Sequence, residues 1–209
     1  MKTNSIFMML AIAALVLATI NASLVIVKTP IFKKLTGYAS GYVNVTVNTQ
    51  VSINMSMDMI NWSGGTVTAG ESNATLYTSN AEGSTVLRGN WTTSPSALAV
   101  ANIGNINATL SLETGKNAAG FFGGTNPQYM WNITNKDPSS CNGATEGLNA
   151  WKNVNVTTLG GAGIYCTQFG YLTAANEIYI NVWVSIPLDA TKTGVQSDTL
   201  TVTGSTAPA

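Results

Sequence analysis

The chain is predicted to be all-β: an immunoglobulin-like or jelly-roll β-sandwich preceded by an N-terminal hydrophobic signal or anchor segment. Three observations carry that prediction. Apolar and polar residues alternate with period 2 through much of the chain after residue 42, clusters of Gly, Asn, Ser and Thr separate the alternating runs, and one long uncharged apolar stretch opens the sequence. No segment after residue 40 shows a helical period. The expected layout is a signal peptide at 1–22 (or a membrane anchor to about 27), an arm at 23–41, the sandwich at 42–204 and a tail at 205–209.

The N-terminal element comes first. Met1-Lys2 is a small positive region, Ile6 to Ile20 is almost wholly apolar, and Ala22 is a small residue placed to precede a cleavage site. Apolar residues resume from Leu24 to Val27, so the uncharged stretch from Thr3 to Val27 also has the length of a bilayer span, flanked by Lys28, Lys33 and Lys34. Either reading exports the rest of the chain. Pro30 and the lysine pair interrupt a strand pattern over Ser23–Thr29. The segment is therefore an arm, with Leu24 and Ile26 as candidate interface residues.

The alternating runs follow. From Val43 to Met59 the odd positions are apolar (Val43, Val45, Val47, Val51, Ile53, Met55, Met57, Met59) and the even positions are polar. That run would extend about 56 Å, too long for one ordinary strand, so a bend or bulge is expected near Asn48-Thr49-Gln50. Ala97–Ala101 leads through Asn102-Ile103-Gly104-Asn105 into Ile106, Ala108, Leu110 and Leu112 on one face. Tyr129, Trp131 and Ile133 form a short alternation, as do Val154 and Val156. Ile178, Ile180, Val182, Val184 and Ile186 make the clearest strand, stopped by Pro187, and Leu200 and Val202 close the domain with Thr199, Thr201 and Thr203 facing out. Gly120–Gly124 and Gly160–Gly163 read as connectors.

Composition narrows the chemistry. Only 9% of the 209 residues are charged, net charge is zero and histidine is absent; soluble domains carry roughly 25% charged residues. Without a basic patch there is no electrostatic basis for binding nucleic acid or acidic lipid, so membrane contact is expected only through an uncleaved N-terminal segment. Carbohydrate or close subunit packing must then solvate the surface. The 22 asparagines include nine Asn-x-Ser/Thr sequons. Asn21 lies in the targeting segment; Asn44, Asn54, Asn61, Asn73, Asn90, Asn107, Asn132 and Asn155 are the glycosylation candidates. Strand parity places Asn44, Asn54, Asn107, Asn132 and Asn155 on the solvent side. Cys141 and Cys166 are the only cysteines, and in an exported chain they form a single disulfide worth about 3 kcal/mol.

Catalysis, metals and cofactors find no support. Without histidine there is no Ser-His-Asp or Cys-His site and no usual zinc site, and the nine carboxylates form no close pair. No glycine run ends in Gly-Lys-Ser/Thr. The shared parity of Met55, Met57 and Met59 points to core packing rather than copper. Trp183 has the opposite parity from Val182 and Val184, and Tyr179 shares its face; both are candidate interface aromatics.

Two stretches carry a resemblance. The run from Leu98 through Asn102-Ile103-Gly104-Asn105 to Leu110 resembles the Asn-x-Gly-Asn turn between adjacent strands in immunoglobulin-like domains of prokaryotic surface proteins. Val184-Ser185-Ile186-Pro187 to Gly194, followed by Ser197–Val202, resembles their last two strands, framed by a proline and a glycine. With an export signal ahead of it, this layout is similar to TasA/camelysin-like secreted subunits, especially archaeal surface proteins of the same size. The resemblance implies a sandwich, an extracellular or cell-surface location and, by analogy, self-association into a homopolymer such as a filament or surface layer. A glycan- or partner-binding adhesin module anchored in the envelope is the alternative expectation.

Overall fold

The structure, a computed structural model, describes residues 48–93, 95–143, 147–154 and 163–208, together with Met8 and Ala14. The chain divides into two compact units, Met1–Val47 and Asn48–Ala209. In the first, Met8 and Ala14 are helical and exposed. Apart from Met8 and Ala14, the signal or anchor, the arm with Leu24 and Ile26, and the sequons at Asn44 and Asn155 lie outside the described residues.

The regular secondary structure of the second unit is almost entirely strand. In chain order the elements are β1 (Ile53–Met57), β2 (Asn73–Thr78), β3 (Ser84–Leu87), β4 (Leu98–Asn102), β5 (Ala108–Thr114), a one-turn helix α1 (Ala118–Phe121), β6 (Gln128–Asn135), β7 (Cys141–Asn142), β8 (Lys152–Asn153), β9 (Gly163–Phe169), β10 (Glu177–Pro187) and β11 (Leu200–Thr206). All ladders between these strands are antiparallel.

The larger, seven-stranded sheet is organised around β10. One edge of β10 pairs with β6 along Ile178–Ser185. Its other edge is shared: β4 pairs with Glu177–Ile180 and β2 with Trp183–Pro187. Beyond β4 lies β1, beyond β2 lies β3, and beyond β6 lies β8. At the join, where β4 has ended and β2 has not begun, side chains replace the backbone ladder. Asn80 N–H donates to Asn181 Oδ1 at 2.7 Å, and Asn181 Nδ2 donates to Asn80 Oδ1 at 3.1 Å and to Asn132 Oδ1 at 3.0 Å. The Val182 N–H donates to Thr78 Oγ1 at 3.0 Å. Buried backbone groups must be paired, and the Asn181 and Thr78 side chains do it where no strand reaches, while Asn80 and Asn132 accept from the Asn181 amide.

The second sheet has the order β11-β5-β9-β7. Both sheets contribute to one apolar cluster: Leu76, Val100, Ile133, Ile178, Ile180 and Val184 from the larger, Leu110, Tyr165, Cys166 and Phe169 from the smaller. The chain crosses between sheets at the Asn102–Asn105 turn. Asn102, fully buried, donates through Nδ2 to the carbonyls of Ile106 and Phe169 and accepts the Gly104 N–H at Oδ1. Asn105 donates to the Asn48 carbonyl and accepts the Gln50 N–H. A Cβ on residue 104 would collide with the Gln50 carbonyl, which explains the glycine. The expected disulfide is present: Cys141 and Cys166 bridge β7 and β9 with Cα atoms 5.7 Å apart, both side chains buried.

Several expectations are corrected. In the long alternation the described residues before Ile53 are not strand, because the 48–52 backbone bonds the Asn102–Asn105 turn instead; β1 then carries a register irregularity between Met55 and Met57. Met59 lies past the strand and is 72% exposed, whereas Met55 packs on the core. Strands β2, β3 and β9 were not among the predicted runs. The Gly120–Gly124 connector begins inside α1, capped by Asn117, whose Oδ1 accepts the Gly120 N–H at 2.7 Å.

Two buried tyrosines set an alkaline limit. Tyr165 is fully buried, its ring edge-on to Trp131 at 5.6 Å, and its hydroxyl has no hydrogen-bond partner among the described residues. Burial pushes its phenol far above the ordinary value, and burial together with the Asp198 carboxylate does the same for Tyr129. The folded protein keeps these protons where the unfolded chain releases them. Stability is therefore undiminished below about pH 10 and falls as pH rises beyond it. Tyr165→Phe should raise stability by about 1 kcal/mol at neutral pH and make the alkaline fall shallower, as read by urea denaturation at pH 8 and 11. Asn181→Ala, which strips the Asn80 N–H and Asn132 Oδ1 of their partner, should cost about 3 kcal/mol in the same measurement.

Candidate functional site

The outward face of the larger sheet holds the predicted aromatics. Cross-strand register aligns Tyr77, Trp183 and Met130 on β2, β10 and β6, and aligns Ala99, Tyr179 and Thr134 on β4, β10 and β6. Tyr179 and Trp183 share a face, as their parity requires, and both are half-buried. Lys136 forms an ion pair with Glu177 and places Nζ 5.7 Å from the Tyr179 ring centroid. The Glu177 hydrogen bond holds the Lys136 ammonium above its ordinary range. This exposed pair adds little stability. Its effect is to cancel the charge at that end of the ridge, leaving a face suited to contact by burial rather than by charge.

Asn132 departs from expectation. It lies on the outward parity, but it is only 9% exposed and accepts the Asn181 hydrogen bond. Parity selects the face of a strand; the width of the sheet decides whether that face is wet, and Asn132 sits next to β10 at the centre. The other sequons divide by exposure. Asn54, Asn61 and Asn90 are exposed. Asn107 is half-buried and donates to Gln168 Oε1 at 3.2 Å. Asn73 is half-buried, with Oδ1 buried and unpaired among the described residues.

The sheet edges are a second feature, one that sequence reasoning did not locate. Among the described residues β11 pairs only with β5, along all of Leu200–Thr206, and β1 only with β4. These two edges belong to different sheets yet lie side by side, since a Cβ on Gly204 would sit 3.2 Å from the side chains of Val51 and Ile53. An edge strand presents a row of unpaired N–H and C=O groups, a template for a further strand.

A cleft of about 460 Å³ lies at the end of β2 and β10, lined by Ser72, Asn73, Thr125, Asn126, Leu188 and Asp189. Asp189 accepts the Thr125 N–H at 2.9 Å and the Thr125 hydroxyl at 2.6 Å, and these bonds hold its carboxyl below the usual carboxylate range. Gly124, at φ +77°, allows the Asp189 carbonyl to approach its Cα closely. Asp189 is the only carboxylate in the lining, and among the described residues no three Cys, Asp or Glu side chains gather as a metal site. The cleft therefore offers hydrogen bonds and one exposed leucine to a neutral polar ligand.

The depressed Asp189 pKa contributes stability above the ordinary aspartate range, and that contribution is lost as pH falls through the depressed value. Thr125→Val should return the Asp189 titration toward its ordinary range, read by carboxylate NMR; an unchanged titration would show that Thr125 is not the cause.

Compared with known protein families, with curated proteins and with solved structures, the chain matches none.

Proposed function

We propose that this is an exported structural protein of the cell surface, a subunit of an extracellular filament or surface layer, whose N-terminal segment adds as a strand to the sheet of the next copy. In this reading the two sheets form an immunoglobulin-like or jelly-roll sandwich, and the apolar N-terminal stretch is the export signal or anchor. The observation that carries it is the β11 edge: among the described residues its seven residues pair on one side only, and an arm at 23–41 follows the apolar N-terminal stretch of the sequence. An extended segment meeting such an edge gains main-chain hydrogen bonds, with alternate side chains setting the register.

Other features agree. Zero net charge removes the repulsion that keeps copies apart. The Cys141–Cys166 disulfide is compatible with an oxidising, extracellular location. The resemblance of the 98–110 and 184–202 stretches to TasA/camelysin-like secreted subunits points the same way. The role is non-catalytic, since histidine is absent and the carboxylates are dispersed.

The cleft with Asp189 favours a second reading, a glycan- or partner-binding module held in the cell envelope. A glycan array probed with monomeric protein distinguishes it: reproducible binding lost in Asp189→Asn supports the module, and no binding removes it.

Deletion of residues 23–40 tests the first reading. The deleted protein should keep its melting temperature and lose polymerisation, measured by sedimentation; undiminished polymer would exclude strand donation by the arm. Trp183→Ala probes the aromatic ridge in the same assay, with weaker association expected if that face packs between copies.

A further inference from the structure

Among the described residues the exposed sequons are not scattered. β6 occupies one edge of β10 along Ile178–Ser185, so β4 and β2 must share the other edge, and β1 and β3 are the outermost strands on that same side. The chain leaving β1 runs on past β3. Val67 bridges Gly89, Thr68 N–H donates to the Arg88 carbonyl, Asn90 N–H to the Thr66 carbonyl and Thr92 N–H to the Trp62 carbonyl. Asn54 on β1, Asn61 on the continuing segment and Asn90 just after β3 therefore line one flank of the larger sheet.

Side-chain geometry at this flank suits attachment. Asn61 Oδ1 accepts the Ser63 N–H at 2.8 Å, and Asn90 Oδ1 accepts the Thr66 N–H at 2.6 Å and the Thr66 hydroxyl at 3.3 Å. Each amide is thereby oriented by its oxygen, while Nδ2, the atom an N-linked sugar uses, makes no hydrogen bond among the described residues. Asn54 has no side-chain hydrogen bond there either, and all three residues are exposed. The backbone behind the pair is fixed: Trp91 lies against Gly65 and Gly89, where a Cβ would overlap its ring, and Trp62 Nε1 donates to Ser84 Oγ at 3.0 Å. Away from the flank the pattern reverses. Asn107 has Nδ2 engaged with Gln168, and Asn132 is buried in the Asn181 network.

We infer that N-linked carbohydrate is carried on this flank, at Asn54, Asn61 and Asn90, and that it makes the β1/β3 side of the larger sheet the side that does not add strands. The second half of the inference rests on the subunit reading above; the first half does not. A glycan is bulky and hydrated, and three along one edge exclude an incoming strand there. Strand addition is thereby excluded at the β1 edge and left to the neighbouring β11 edge, whose own residues carry no sequon.

Glycopeptide mapping by mass spectrometry of the protein from its own host tests the assignment. Sugar on Asn54, Asn61 and Asn90 with Asn132 bare is expected; sugar on Asn132, or none at the three flank sites, overturns it. The triple variant Asn54→Gln, Asn61→Gln, Asn90→Gln then tests the shielding. Polymer should still form, with lateral bundling raised several-fold in low-speed sedimentation. Loss of polymer in a variant with an unchanged melting temperature would make the flank part of the assembly contact and overturn the shield. If unmodified wild type does not polymerise either, the subunit reading fails while the site map stands.

Discussion

The backbone groups of β10 alternate between two edges, so both edges must supply hydrogen-bond partners, and the strand is longer than any single neighbour on one of them. That constraint shapes the larger sheet. β6 satisfies one edge in a continuous ladder, while the other is divided between β4 and β2, two strands that arrive from different parts of the chain. The division leaves Asn181 and Val182 facing a gap. Asn80, Thr78, Asn132 and Asn181 close it with side-chain hydrogen bonds, which ties the β2–β3 turn, the centre of β6 and the centre of β10 into one polar unit. A buried polar network of this kind is worth having only when fully satisfied, and here its geometry also fixes where β4 stops and β2 starts.

The smaller sheet depends on two further devices, one joining it to the larger sheet and one within it. Asn102 bonds backbone groups on both sides of the crossover from β4 to β5, with Phe169 of β9 among its partners. The disulfide pins the short β7 to β9, a strand pair of only two residues that would hold weakly by its ladder alone. Between the sheets Tyr165, Trp131, Phe169 and the aliphatic residues of β5, β6 and β10 fill the core. The result is a unit whose interior is specified by a few asparagines as much as by apolar packing.

Much of this was legible in the sequence. Half-buried strands advertise themselves by alternation, so β5, β6, β10 and β11 were read near their true places, and the Asn-x-Gly-Asn run was read as a turn between strands. β2 was missed because Ala74, Thr75, Leu76 and Thr78 are all buried, both parities together, which removes the period. β9 was missed for a related reason: Thr167 and Gln168 interrupt its apolar run, while Tyr165, Cys166 and Phe169 are buried without alternating. Asn132 was placed on the correct face with the wrong exposure, because a strand pattern carries no information on how many neighbours flank it. Of the candidate surface, the aromatic pair Tyr179 and Trp183 followed from parity alone; the open β11 edge and the sequon-lined flank did not. Both depend on which strands pair, and pairing is set by contacts between residues far apart in the chain.

The sequon flank and the β11 edge lie next to each other but present different chemistry. Among the described residues the flank displays three exposed sequons, and β11, the end strand of the smaller sheet, pairs on one side only. The proposed assembly would use that edge, in a chain of zero net charge. The most direct test is negative-stain imaging of the native extracellular material from cells that make this chain. The account predicts filaments or an ordered lattice containing the protein; dispersed single particles as its only native form would contradict it.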